Sequence, residues 1–152
     1  SRAFVHSVDL AWACSPAFEM PDEGPVPLAF LTNGRDLRHY ALSALDAVGM
    51  KGRVSHLSPH PVGVRTLVHA GLALTVMPSQ TIVPPLVQAS SALGLPPLSP
   101  IALAAYKAPY DRSGCQDLLI EQLAALSAGL RKLHRGAASA IAAYAQGGSS
   151  AP

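Results

Sequence analysis

Charged side chains are scarce in this sequence. Asp, Glu, Lys and Arg together make up 13% of its 152 residues, against ~25% in a typical soluble domain. Hydrophobic residues reach 49%, which is not the composition of a disordered chain. The formal net charge of +2 is too small to indicate nucleic-acid binding by this segment itself. A surface with so few charges indicates contact with a partner.

Cysteine is also scarce. Cys14 and Cys115 lie in no spacing that is typical of a metal site or a redox motif. They predict no disulfide framework, so a reducing compartment is the simpler expectation. A secretory signal needs an unbroken apolar segment near the start of the chain, but His6 and Asp9 interrupt the first such segment.

The stretch from Thr66 to Tyr106 contains no charged residue and would be long enough to cross a bilayer as one helix. Prolines exclude that interpretation, because they divide the stretch into pieces too short to span. They are Pro78, Pro84, Pro85, Pro96, Pro97 and Pro100. We therefore expect no membrane segment.

Short apolar runs alternate with segments of helical periodicity between residues 27 and 77. The runs at 27–31, 53–57 and 72–77 have the length and composition of strands. Connections of a few residues between alternating strands and helices require parallel pairing through right-handed crossovers. The fold class is therefore α/β.

The ends of the two intervening helices carry their own signals. Gly49 falls where a helix C′ glycine would end the first helix. Ser58 and Pro59 predict an N-cap followed by a proline at the first position of the second helix.

A further strand and a long helix follow. Ile101–Tyr106 predicts the strand, and residues 113–135 predict the helix, with Ser113 and Gln116 at the spacing of a capping box. Its expected buried face consists of Leu119, Leu123, Leu126, Leu130 and Leu133. The Ala, Gly and Ser residues after position 136 predict a frayed end.

The segment Asp9–Leu126 resembles the second half of the effector-binding domain of LysR-type transcriptional regulators. The resemblance is carried by Leu10-Ala11-Trp12-Ala13-Cys14-Ser15-Pro16, by the segment 25–31, by the Gly-x-x-Arg helix start at 34–38, and by the turn 45–49. Its most specific part is Val68-His69-Ala70-Gly71-Leu72-Ala73-Leu74-Thr75-Val76-Met77-Pro78. There Ala73 stands where the family usually has a second glycine.

The resemblance implies a parallel-stranded βαβαβ lobe of a type 2 periplasmic-binding-protein-like fold, followed by a return strand and a C-terminal helix. Residues 9–100 would form the second lobe of the effector-binding domain. Residues 101–135 would be the return strand and helix belonging to the first lobe, and residues 136–152 a flexible tail. Because the sequence starts at Ser1, directly before a strand-like run, we expect it to be part of something longer.

The implied function is effector sensing in transcription regulation. A small molecule would bind in the cleft between the lobes and change the geometry of a homo-oligomer, a dimer or a tetramer, in the cytoplasm. DNA would be contacted only through an N-terminal winged helix-turn-helix that is absent from this chain. Two alternatives stay open: a solute-binding protein of the periplasmic type and a small α/β enzyme.

Candidate ligand contacts follow from the position of the loops. In open α/β sheets a ligand lies beyond the carboxyl ends of the strands, near helix N-termini. The predicted ligand-binding residues there, together with those at effector positions of the resembling family, are Thr32, Asn33, Gly34, Arg35, Leu37, Ser58, His60 and Tyr106.

Each of these candidates also has an ordinary structural interpretation. Arg35 would hold a carboxylate and so favour an anionic effector, or it would be a solvated side chain paired with a nearby aspartate. Thr32 would be a plain helix cap. His60 would be a surface histidine, and Tyr106 a core or interface tyrosine.

Motifs for metal, cofactor or enzyme chemistry are absent from the sequence. His56 and His60 have the spacing of helical metal ligands, but Pro59 and Pro61 break the helix and no third ligand is near. No Gly-x-Ser-x-Gly elbow and no phosphate-binding glycine loop occurs. We therefore predict no catalytic residue, no metal and no cofactor.

Overall fold

The described part of the chain comprises residues 2–106 and 114–129 of a computed structural model, with side chains described from His6 onward. The elements are β1 (Arg2–Val8), β2 (Leu10–Cys14), β3 (Val26–Leu31), α1 (Arg35–Ala47), β4 (Gly52–Ser58), α2 (Pro61–His69), β5 (Thr75–Pro78), β6 (Val87–Gln88), β7 (Ile101–Tyr106) and a helix α3 over residues 115–129. Two compact units are present. One is Ser7–Ile101, and the other contains the described residues before and after it.

The main sheet lies in the unit Ser7–Ile101. β3 pairs with β4 in parallel, with Leu28 opposite Val54 and a register shift after Leu28. On the other side of β3, a parallel bridge joins Leu28 to Leu74, and the Ala29 N–H donates to the Leu74 carbonyl over 2.8 Å. The α/β class with consecutive parallel crossovers is therefore confirmed.

An antiparallel extension completes this sheet. β2 pairs with β5, with Trp12 opposite Val76, and β6 adds to the other edge of β2. The order across the sheet is β4, β3, β5, β2, β6. The third parallel strand is shorter than the run 72–77, because its regular part starts at Thr75.

Both helices of this unit end at a left-handed glycine. Gly49 has φ +76 and Gly71 has φ +75, and the N–H of the next residue returns to the carbonyl of Leu45 or Leu67 over 3.0 and 3.2 Å. Glycine adopts this conformation without the strain that a Cβ would cause. The predicted C′ role of Gly49 is confirmed.

The predicted N-terminal caps are wrong. α2 starts at Pro61 with His60 as its N-cap, so Pro59 is not the first helical residue. The Ser58 hydroxyl instead bonds the loop itself, donating to the His60 carbonyl over 2.9 Å and accepting from the His60 N–H over 3.2 Å. α1 starts after Gly34 without a side-chain cap, so Thr32 caps nothing. The Ser58 hydroxyl thus satisfies nearer backbone groups before the helix begins.

Two hydrophobic clusters cover the two faces of the sheet. On the α1 side, Leu28, Leu45 and Leu74 are fully buried; on the α2 side, the cluster includes Val64 and Val68. Helix α1 lies so close to β4 that a Cβ on the glycine at position 52 would lie 2.8 Å from Leu45 Cδ1.

The connector between β6 and β7 is fastened to the first cluster by two long-range hydrogen bonds. The Trp12 indole N–H donates to the Pro96 carbonyl over 2.8 Å. The Tyr40 hydroxyl donates to the Ser99 carbonyl, also over 2.8 Å. An indole or phenol hydrogen-bonded in this way combines apolar packing with a fixed position.

The second unit contains a two-stranded sheet of β1 and β7 and α3. The predicted strand Ile101–Tyr106 is confirmed. The predicted burial of Leu119, Leu123 and Leu126 is wrong, because these side chains are 60%, 41% and 64% exposed. The buried residue of α3 is Ser127, whose hydroxyl bonds His6 Nδ1 over 2.6 Å.

The burial of the α3 leucines was predicted wrongly because leucine periodicity identifies an apolar stripe on a helix but not the residues that cover it. The predictions for Ser113, Leu130, Leu133 and the segment 136–152 lie outside the described residues. Among the residues that are described, no helix is long and apolar enough to cross a membrane.

Candidate functional site

A cavity of about 300 Å³ opens within the unit Ser7–Ile101. It lies where β3 and β5 end and where α1 and α2 begin. Its lining residues are Phe30, Leu31, Gly34, Leu37, Pro61, Val64, Arg65, Thr75, Val76, Met77, Pro78 and Thr81. This is the carboxyl edge of the parallel strands, the edge at which ligands bind in open α/β sheets.

The loops after β3 and β4 leave the sheet at this same edge. Leu31 lies opposite Ser58 in the parallel register, and the Thr32 N–H donates to the Ser58 carbonyl over 2.9 Å. Parallel pairing places the carboxyl ends of neighbouring strands side by side. The prediction that residues 32–35 and 58–60 emerge at a common edge is confirmed.

A second depression, of about 430 Å³, lies at the opposite edge. It is formed around the starts of β3 and β4, and its lining includes Met20, Met50 and Lys51. The Lys51 ammonium pairs with the exposed Asp46 carboxylate, and this hydrogen bond holds the pKa of Asp46 below its usual value. Because this edge carries the C-terminal end of α1, it lacks the unpaired N–H groups of a helix start.

The predicted contact residues have different positions relative to the cavity. Gly34 and Leu37 line it. Arg35 is exposed in the first turn of α1 and is not part of the lining. Ser58 is half-buried and bonded to His60, which is exposed.

The remaining three candidates do not line the cavity. Thr32 and Asn33 are exposed in the turn before α1. Tyr106 ends β7 in the other unit and is 69% exposed. The contacts proposed for these residues stay predictions.

Three polar cavity residues were missed by the sequence analysis, Arg65, Thr75 and Thr81. Arg65 is the single charged residue between positions 54 and 106. Its guanidinium donates to the carbonyls of Thr81 and Val83, each over 3.2 Å. Thr75 is the polar residue inside an apolar run and is 2% exposed. An isolated polar residue in such surroundings is a signal that sequence reading can use.

Other candidate chemistry is sparse in the part of the chain that the structure describes. No group of three or more His, Cys, Asp and Glu side chains there is arranged to hold a metal ion. Cys14 is buried in the α1-side cluster, and its burial raises the pKa of the thiol. A thiol in that state is a small apolar core residue and a poor nucleophile.

Comparison with known proteins gives a likeness to several solved structures, two of which follow. One is HinK, a LysR family transcriptional regulator from Pseudomonas aeruginosa, with a TM-score of 0.49, 16% identity, and coverage of 78% of this chain and 46% of that one. The other is the C-terminal domain of a probable LysR family transcriptional regulator from Rhodococcus sp. RHA1. Its TM-score is 0.43 and its sequence identity 17%, with coverage of 84% of this chain and 66% of that one. No protein-family model and no curated protein matches the sequence.

Both solved structures come from LysR-family regulators. This chain spans 46% of the first and 66% of the second.

Proposed function

We propose that this chain is the effector-sensing part of a LysR-type transcriptional regulator. A small molecule binds at the carboxyl edge of the parallel strands and changes how the lobes are arranged. That change alters the geometry of a homo-oligomer and thereby DNA binding by a winged helix-turn-helix domain elsewhere in the regulator. The effector contacts predicted in the loops 32–35 and 58–60 belong to this proposal.

The observation that carries the proposal is the cavity at this edge. Its volume of about 300 Å³ is at the lower end of the range for small-molecule sites, about 300–1,000 Å³. Its lining is mostly apolar with a few polar groups, which is typical of such sites. The N-terminal ends of α1 and α2 also meet there.

A ligand screen with an occluding variant tests this proposal. A metabolite library is screened by differential scanning fluorimetry against the full chain and against Leu37→Trp, in which the larger ring fills space in the cavity. Leu57→Trp is the matched control, because Leu57 is a half-exposed strand residue outside the lining. A ligand that stabilises the unchanged chain and Leu57→Trp, but not Leu37→Trp, supports the proposal. A screen without any such ligand contradicts it.

A solute-binding protein would use the same kind of cavity. The gene sequence upstream of the present chain distinguishes the two functions. A winged helix-turn-helix there supports the regulator, whereas an export signal supports the solute-binding protein.

A further inference from the structure

Arg65 is the only charged side chain among the described residues that line the cavity, and no carboxylate lies beside it in that lining. A guanidinium has five N–H donors. Two of them are used by the carbonyls of Thr81 and Val83, and no other bond to a described residue is formed. Arg65 is therefore held in place by two hydrogen bonds, and three of its N–H donors form no bond to a described residue. It contributes a positive charge to the cavity lining, which contains no carboxylate.

Thr75 supplies a second polar group whose hydrogen-bonding capacity is unused among the described residues. Its hydroxyl makes no hydrogen bond with a described residue, although the residue is 2% exposed and lines the cavity. Among the described residues, no polar side-chain atom that is fully enclosed lacks a hydrogen-bond partner, so this hydroxyl, which has none, is not fully enclosed. The neighbouring Thr81 differs, because its hydroxyl already donates to the Pro78 carbonyl over 2.7 Å.

The rest of the lining sets the shape of a matching ligand. Apart from the threonines and Arg65, it consists of apolar side chains and glycine, among them Phe30, Leu37 and Val64. Apolar surface favours an apolar ligand body, and an unbalanced guanidinium favours a carboxylate.

We propose that the cavity binds a small amphiphilic monocarboxylate. Its carboxylate pairs with the Arg65 guanidinium, an oxygen of the same molecule bonds the Thr75 hydroxyl, and its aromatic or alkyl body lies against the apolar lining. This inference rests on the proposed function and deepens it by naming the ligand class and two anchoring residues. It assigns the charged contact to Arg65 in place of the exposed Arg35.

Matched acids and amides test this assignment on the full chain. Phenylacetate and hexanoate are titrated calorimetrically against phenylacetamide and hexanamide, which have nearly the same shape without the charge. We expect each acid to bind at least tenfold more tightly than its amide. Arg65→Gln should weaken the acid at least tenfold and leave the amide unchanged, so that the preference disappears. A merely structural role of Arg65 would weaken both compounds alike.

Thr75 is tested by a variant of its own, and each of the two anchoring residues has a matched control. Thr75→Val keeps the side-chain shape and should weaken acid and amide equally, by about fivefold to tenfold. Arg53→Gln and Thr66→Val remove the same chemical groups from exposed positions outside the lining and should leave binding unchanged.

The outcomes separate this inference from the function on which it rests. Equal affinity for acid and amide, or equal weakening of both by Arg65→Gln, overturns the inference. A screen that finds only neutral ligands, with binding sensitive to Leu37→Trp, also overturns it while the sensing function stands. A carboxylate found by the screen whose affinity falls in Arg65→Gln supports both. A screen without any ligand overturns both.

Discussion

Replacing Gly52 by alanine tests the close packing of α1 on the sheet. The added Cβ would lie 2.8 Å from Leu45 Cδ1, 2.9 Å from Leu42 Cδ2 and 3.1 Å from Leu28 Cδ1. Leu28 and Leu45 are fully buried, so at least two of these neighbours cannot move out into solvent. Overpacking of this kind costs about 1–3 kcal/mol. Alanine also lowers the conformational entropy of the unfolded chain, which stabilises the folded protein by about 0.4–1 kcal/mol.

We therefore expect Gly52→Ala to lower the free energy of unfolding by about 0.6–2 kcal/mol, as given by the differences between the lower ends and between the upper ends of those two ranges. The measurement is urea denaturation followed by circular dichroism, and the m-value should stay unchanged. Gly129→Ala is the matched control, because a Cβ there meets nothing within 4 Å and alanine favours a helix. It should leave stability unchanged or raise it by up to about 1 kcal/mol.

A rescue variant shows whether the leucine contact is the cause. Adding Leu42→Val to Gly52→Ala shortens the half-buried neighbour and should recover part of the loss, which a double-mutant cycle measures as a favourable coupling. Gly52→Ala without any loss of stability, or a loss that the second change leaves untouched, would refute this account of the packing.

Two other predictions concern the core and the thiols. Trp12→Phe should lower the free energy of unfolding by about 1–3 kcal/mol, because the buried Pro96 carbonyl loses its donor; an unchanged urea midpoint would contradict this. Cys115 is exposed, whereas Cys14 is buried with a raised pKa, so a thiol reagent at mildly alkaline pH should modify Cys115 rapidly and Cys14 only with unfolding. Equal rates for both thiols in the native protein would count against the burial of Cys14.

The contacts of Arg65 link the cavity to the segment between β5 and β6. Arg65 lines the cavity, and its guanidinium donates to the carbonyls of Thr81 and Val83. These residues lie directly after β5, on the way to β6. A carboxylate bound to Arg65 would therefore share its guanidinium with the segment that leads to the antiparallel edge of the sheet.

Much of the fold was predictable because its causes are local in the sequence. Apolar runs of strand length, helical periodicity and the glycine at position 49 each depend on residues a few positions apart. Alternation of such elements with short connections leaves only the parallel arrangement. The edge at which the loops 32–35 and 58–60 meet follows from that arrangement alone.

The start of α2 shows where local reasoning has competing answers. A serine before a proline is a good helix start, but Ser58 and Pro59 are followed by a second proline, Pro61, which serves equally well. The structure uses Pro61, because the Ser58 hydroxyl bonds the His60 backbone instead. Two adjacent signals of similar strength are thus decided by a hydrogen bond between the Ser58 side chain and the His60 backbone.

The sequence by itself determined the class of the fold, the crossover order of its strands and the common edge at which the loops 32–35 and 58–60 lie. Only the tertiary structure decided which polar groups line the cavity, since Arg65 and Thr75 reach it from α2 and β5, which are separate elements of the chain. It also decided that the leucines of α3 lie exposed. The physical reason is that backbone conformation depends on near neighbours along the chain, whereas the surroundings of a side chain depend on residues that are distant in sequence and near in space.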